Sequence, residues 1–267
     1  MLTRPRRSCL TVPASSLHML EKAAGLPADE VVVDLEDGVA LDAKDEARRQ
    51  LGHARARGTL AIRVNGRTTP WWRDDLAAVA AVRPDVVVLP KAESVEDVLA
   101  VAELLPEGIG LEVQIETARG LVEVERIAAA GGPLEALVFG PGDFAASLGV
   151  PVLTIGAGSW DYALARIAVA ARAFGLQVVD GPFADLRDLD GLRASARLAL
   201  AHGCDGKWVV HPEQIAPVNE VFTPSPEELE HARRILAAGD GAVLVDGAMV
   251  DPASKRLAAA VLARASA

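Results

Sequence analysis

The sequence predicts an α/β protein of the (β/α)8, or TIM-barrel, class with an appended C-terminal helical arm. Three observations carry this. Short apolar runs recur eight times along the 267 residues. Each run is continuous rather than alternating, as in the strands of a parallel sheet covered on both faces. Stretches with helical spacing lie between them. The count of eight and the length favour a closed barrel over a doubly wound open sheet. An open sheet carries a glycine-rich turn after its first strand, and "TVPASSLH" has none.

The runs, in order, are "RSCLTVP" (7–13), "EVVVDLE" (30–36), "LAIRVN" (60–65) and "DVVVLPK" (85–91). They continue with "LEVQIE" (111–116), "EALVFGP" (135–141), "LQVVDGP" (176–182) and "KWVVHP" (207–212). "SVEDVLAVAELL" (94–105) reads as a helix behind Ser94 as N-cap, with Val95, Val98, Leu99 and Ala102 on one face. "DGLRASARLALAHG" (190–203) starts at Asp190 and stops at Gly203. "TIGAGSW" (154–160) has neither dinucleotide nor P-loop spacing. After the eighth unit, "FTPSPEELEHARRIL" begins a new helix at Ser225. Residues 1–222 therefore read as the barrel and 223–267 as the arm.

Composition narrows the partners. Hydrophobic residues make up 51% of the chain but aromatics only 4%, so the core is mostly Ala, Val and Leu. A net charge of −10 argues against nucleic acid and anionic membrane surfaces. An anionic substrate would need a local cation or arginine. Cys9 and Cys204 form no disulfide framework, and no apolar run approaches a membrane span. The opening "MLTRPRRSCLTVP" has too short an apolar segment for a signal peptide, so a cytoplasmic protein is expected.

In a barrel of this class the chemistry sits at the C-terminal strand ends. Those ends carry Asp34, Glu36 and Asp37; Arg63 and Asn65; Lys91; Glu116; Asp143; Asp180; and His211. Glu116 and Asp143 follow neighbouring strands, so both can point at one spot. Two carboxylates completed by water and substrate oxygens suit Mg²⁺, and no His or Cys cluster suits zinc. The same two residues would also serve as helix caps. Arg63 fits either a structural ion pair or a clamp for a substrate carboxylate or developing oxyanion. Lys91 reads as a solvated or ion-paired lysine, and His211 as a hydrogen-bonded structural one.

Taken together, the motifs "RSCLTVP", "VVVDLEDGVALDAKDEAR", "IRVNGRTTPWWRDDL", "VLPKAES", "IETARGL", "FGPGDFAASLG", "DGPF", "DGKWVVHPEQI" and "GAMVDPASKRLA" run in this order from residue 7 to residue 258. The set resembles the HpcH/HpaI aldolase and citrate lyase beta-subunit superfamily, most closely its CitE-like and malyl-CoA lyase branch. The resemblance implies a carbon–carbon lyase that uses Mg²⁺, with Mn²⁺ able to substitute. It implies cleavage or formation of a 3-hydroxyacyl-CoA, such as malyl- or citramalyl-CoA, from an acetyl-CoA-type thioester and a 2-oxoacid. By the same resemblance Glu116 and Asp143 are the metal ligands, and Arg63 binds the oxoacid oxygen. Asp34, Glu36 and Asp37 form an acidic surround, with Glu36 and Asp37 as further catalytic candidates. Asp251, in "AMVDPAS", is the proton-transferring aspartate donated by a neighbouring subunit of a homotrimer or hexamer. Arg7 and Lys22 fall where relatives contact CoA, although relatives read "VPG" where this chain reads "VPASS".

Four other activities are weighed beside this one. An aldolase acting on free hydroxy-oxoacids would carry histidine where "DLED" has Asp37, which disfavours it. A citrate lyase beta subunit would act with an acyl-carrier partner. A malyl-CoA thioesterase would share the same site, as would a malate-synthase-like side activity.

Overall fold

The computed structural model describes residues 4–151, 155, 159–239 and 241–265. Eight parallel strands close into a barrel: β1 (Ser8–Pro13), β2 (Glu30–Asp34), β3 (Thr59–Arg63), β4 (Val86–Leu89), β5 (Gly110–Ile115), β6 (Leu134–Phe139), β7 (Gln177–Asp180) and β8 (Gly206–Val209). β8 returns to pair with β1, setting Cys9 opposite Trp208, so no edge is left open. All eight predicted runs are strands. They are legible because residues such as Val31, Val32 and Val33 are buried on both faces, between barrel interior and helix layer.

Strand alternation sorts the core into two parts. Cys9, Val32, Ala61, Val88, Val138, Val179 and Trp208 fill the barrel interior. The larger cluster lies outside, between strands and helices. One irregularity interrupts the pairing. Leu111 sits opposite Leu134 but Glu112 sits opposite Ala136, so Glu135 is an extra residue in β6.

The foot of the barrel is closed by charge rather than by hydrocarbon. Arg6, fully buried, donates from Nη2 to Glu135 at 2.7 Å and from Nε to Glu112. Glu30 Oε2 lies 3.4 Å from Arg6 Nε. Arg7 binds Asp29 here through Nε and Nη2, both at 2.8 Å, and Thr223 through Nη1.

Helix starts follow their caps. The Ser94 side chain accepts from Asp97 N at the start of Val95–Ala102, as expected. The helix Leu189–Ala201 is capped by Asp188 rather than Asp190, because Asp188 Oδ1 accepts from Gly191 N at 2.8 Å. Ser225 and Glu228 form a reciprocal capping box at Pro226–Ala237. The arm is not wholly helical. A hairpin, β9 (Val243–Val245) with β10 (Ala248–Val250), precedes the last helix, Pro252–Ala265. Its turn is Asp246-Gly247, both in the left-handed region at φ 51° and 80°. Of "TIGAGSW", positions 154 and 156–158 lie outside the described residues. Among the described residues no helix is long and apolar enough to cross a membrane.

Candidate active site at the barrel mouth

Parity decides which strand-end residues face the interior. Val32 points inward, so Asp34 does too; Ala61 points inward, so Arg63 follows. On β5, Glu112, Gln114 and Glu116 share one parity, and all three are buried. Opposite Glu116 stands Gly140. A side chain there would place its Cβ 2.3 Å from Glu116 Oε2, so only glycine leaves room for the carboxylate.

Asp34 is the anchor of the mouth. It accepts from Glu36 N and Gly38 N at 2.8 Å each, and from Arg63 Nε and Nη2 at 2.7 and 2.6 Å. Burial alone would favour its neutral form. The Arg63 charge and these bonds outweigh that and hold the carboxyl below its usual range. Arg63 Nη1 reaches Glu36 Oε2 at 2.9 Å and Gln114 Oε1 at 3.4 Å. Its face lies on the Trp208 ring, 5.4 Å to the centroid. Burial opposes the guanidinium charge too, but the surrounding acids keep it protonated.

Behind this rim, Lys44 Nζ donates to the carbonyls of Leu35 and Glu36 at 2.7 Å, and Asn65 Nδ2 donates to the same Leu35 carbonyl. The β2 loop is thus pinned from below with its carboxylates turned toward the opening. Lys91 crosses to it from β4. Its Nζ pairs with Glu36, with Asp37 at 2.9 Å and with Asp143 at 3.4 Å.

Glu116 accepts from Lys91 N at 2.7 Å. Among the described residues no donor reaches its second oxygen. Burial first, then the negative charges of Glu36 and Asp143, push its carboxyl up to about 8; Arg63 and Lys91 act against that rise. Asp143 stands in the first turn of the helix Pro141–Leu148, which follows β6 directly. Both residues line a cavity of about 400 Å³, with Asp34, Asp37, Arg63 and Gln114 on its polar side. Met19, Ile155, Pro182 and Val210 form its apolar wall.

Among the described residues, no group of three His, Cys, Asp or Glu side chains is arranged to hold a metal ion by itself. An ion here would rest on two carboxylates and on non-protein oxygens, the donor set Mg²⁺ favours. A buried glutamate short of positive charge fits that occupant.

The remaining sequence candidates fall elsewhere. Arg7 is corrected: it precedes β1, at the opposite end of the barrel from the mouth, and its guanidinium is taken by Asp29 and Thr223. Asp180 faces outward under the helices and pairs with buried Lys207. His211 accepts from Glu213 N at the turn after β8. Lys22 lies beside a second crevice of about 170 Å³, shared with His18 and His211. Thr11, Met19 and Val210 border both cavities. Asp251 caps the last helix, accepting from Ser254 N at 2.8 Å, and does not line the mouth of its own barrel. Lys44 and Gln114 were not among the expected site residues. Gln114 had a signal in its parity with Glu116; Lys44 had none, since only the loop's path brings it back.

The family model for HpcH/HpaI aldolase/citrate lyase matches residues 7–212. An L-malyl-CoA/beta-methylmalyl-CoA lyase of Cereibacter sphaeroides is 39% identical, over 98% of this chain and 95% of its own. A (3S)-malyl-CoA thioesterase of the same organism is 40% identical over the same shares. A crystal structure of the protein CitE from Mycobacterium tuberculosis, in complex with magnesium, acetoacetate and coenzyme A, superposes with a TM-score of 0.85 at 36% identity. That match spans 97% of this chain and 98% of CitE.

Proposed function

The chain belongs to the HpcH/HpaI aldolase/citrate lyase family, and from that premise we propose that it is a Mg²⁺-dependent carbon–carbon lyase. It cleaves or forms a 3-hydroxyacyl-CoA, of the malyl-CoA kind, from an acetyl-CoA-type thioester and a 2-oxoacid. The observation that carries this reading is the pairing of Glu116 with Asp143 at one cavity into which Arg63 also points.

Glu116 and Asp143 would hold Mg²⁺, which when bound supplies Lewis-acid polarisation of the oxoacid oxygens. Arg63 stabilises the oxygen that is hydroxyl in the substrate and carbonyl in the product. Asp34 and Glu36 hold the arginine so that little reorganisation accompanies the change in charge. In cleavage the bond between the α-carbon of the thioester and the carbinol carbon breaks. The electron pair passes to the thioester enolate, the hydroxyl proton is lost, and the enolate carbon takes a proton. In condensation the flow reverses, and a carboxylate removes that proton from the acetyl methyl. Asp251 is that carboxylate, brought by the arm (223–267) of another copy to the barrel (1–222) of this one. Exposed Leu244, Met249 and Leu257 give the arm an apolar surface for such docking, in a homotrimer or hexamer. The crevice beside Lys22 is the route for the CoA arm, where a cation meets its phosphates.

Similarity to a thioesterase at the same level supports a second reading, hydrolysis of the malyl-CoA thioester itself in the same site. Incubation with malyl-, methylmalyl- and citramalyl-CoA in Mg²⁺, following oxoacid and free thiol together, separates them. Oxoacid without thiol is the expected result; thiol without oxoacid would establish the hydrolase. EDTA is expected to abolish turnover and Mg²⁺ or Mn²⁺ to restore it, whereas full activity in chelator would refute the metal assignment.

A further inference from the structure

Five carboxylates, Asp34, Glu36, Asp37, Glu116 and Asp143, crowd one mouth. Such a surface attracts a divalent cation but repels the anionic oxoacid that must sit beside it. Arg63 is largely committed to Asp34, through two hydrogen bonds. Lys44 spends its ammonium on backbone carbonyls behind the loop. Lys91 is placed differently. Its side chain is 33% exposed, and its ammonium lies between Asp37 and Asp143, two residues of the cavity wall.

Its backbone is unusual as well. Lys91 sits at φ 51°, one of three non-glycine residues with positive φ among those described. Side chains rarely adopt that conformation, and it persists where the surroundings demand it. Here it turns the Lys91 N–H onto Glu116 while the side chain crosses to the β2 rim.

We propose that Lys91 is the electrostatic counterweight of the mouth: its ammonium, docked among Glu36, Asp37 and Asp143, offsets the acidic rim and so admits an anionic 2-oxoacid beside Glu116 and Asp143. This rests on the functional reading above, whose substrate the oxoacid is. The role has a sign that simple scaffolding lacks. Removing one positive charge from the mouth weakens binding of an anion and leaves binding of a cation unchanged or tighter. Misplacing the carboxylates would weaken both.

The experiment uses the full-length protein with Mn²⁺ and pyruvate as probes, without turnover. Mn²⁺ affinity is read by electron paramagnetic resonance. Pyruvate binding to the Mn²⁺-loaded protein is read by water proton relaxation. In Lys91→Met, pyruvate is expected to bind on the order of ten-fold more weakly or worse, with Mn²⁺ affinity at or above that of the wild type. The salt dependence of pyruvate binding should shrink, and Lys91→Arg should restore most of the affinity. Lys91→Gly, which takes the left-handed backbone without strain, gives the same loss of charge if the methionine variant fails to fold. Unchanged pyruvate binding in both charge-free variants would overturn the proposal, as would parallel loss of Mn²⁺ and pyruvate. A wild-type protein that binds neither probe would overturn the lyase reading itself, and the role of Lys91 with it.

Discussion

At the scale of the residue, Arg63 concentrates the largest claim. Its planar fork meets Asp34 with two parallel bonds and still presents Nη1 toward Glu36 and Gln114. Lysine carries the charge but not the fork. Arg63→Lys should fold, bind Mn²⁺ as the wild type does, and lose on the order of 10²-fold in kcat; steady-state kinetics beside Mn²⁺ titration checks it, and undiminished kcat would leave the arginine a structural ion pair. Arg63 and Glu116 could be picked out from sequence because each ends an apolar run, where strand alternation fixes its direction. Lys91 could not be ranked the same way, since its contribution depends on a left-handed φ that no neighbouring glycine or asparagine announces. Asp180 misled for the opposite reason: one step of parity turns a strand-end acid away from the mouth and onto Lys207.

At the scale of the element, β5 carries charge at both ends of the barrel, Glu112 at the foot and Glu116 at the mouth, and the foot has consequences of its own. Burial, then the charge of Glu112, raise the Glu30 carboxyl well above the usual range, and Arg6 only partly opposes them. The folded protein therefore keeps a proton on Glu30 that the unfolded chain releases above about pH 4.3. Stability is full below that pH and declines as pH rises toward the folded-state value. Glu30→Gln removes the titration while keeping the shape. Its Tm should match the wild type near pH 5 and exceed it at pH 8, by roughly 2–4 °C for each kcal/mol relieved. Calorimetry showing the same difference at both pH values would mean Glu30 is already charged in the fold. The eight strands were legible as elements because burial on both faces writes itself as unbroken Val, Ile and Leu. The hairpin departs from the expected helical arm: Asp246-Gly247 between "VLV" and "AMV" is a strong two-residue turn signal, but strands of three residues between two helical stretches leave little period to read.

At the scale of the whole molecule, the proposed mechanism couples the arm of one copy to the barrel of another through a single residue. Asp251 hydrogen-bonds Ser254 as a helix cap, and the same carboxylate is the proposed base of a neighbouring mouth. Asp251→Ala and Glu116→Ala proteins should each be inactive. Dissociated, mixed and reassembled, they should regain part of the activity, because an intact barrel from one meets an intact arm from the other. Mixed oligomers that exchange subunits yet stay inactive would place the base within the same barrel. The barrel is readable from length and period; the apolar side of the arm is not, since Leu244 and Met249 are unremarkable one by one and become neighbours only because the hairpin pairs them, with Leu257 exposed on the helix that follows.

The surplus residue in β6 has a reach beyond its own turn. Glu135 has no place in the ladder, and every position after it owes its facing to that one-residue slip. Were β6 paired without that slip, Glu112 would meet Glu135 and Glu116 would meet Phe139 rather than Gly140, filling with a benzyl group the space the carboxylate needs. Register in this strand is therefore under tighter constraint than composition. A conservative exchange of one aliphatic residue for another along β6 disturbs a contact, whereas pairing shifted by one residue after Leu134 turns the strand inside out.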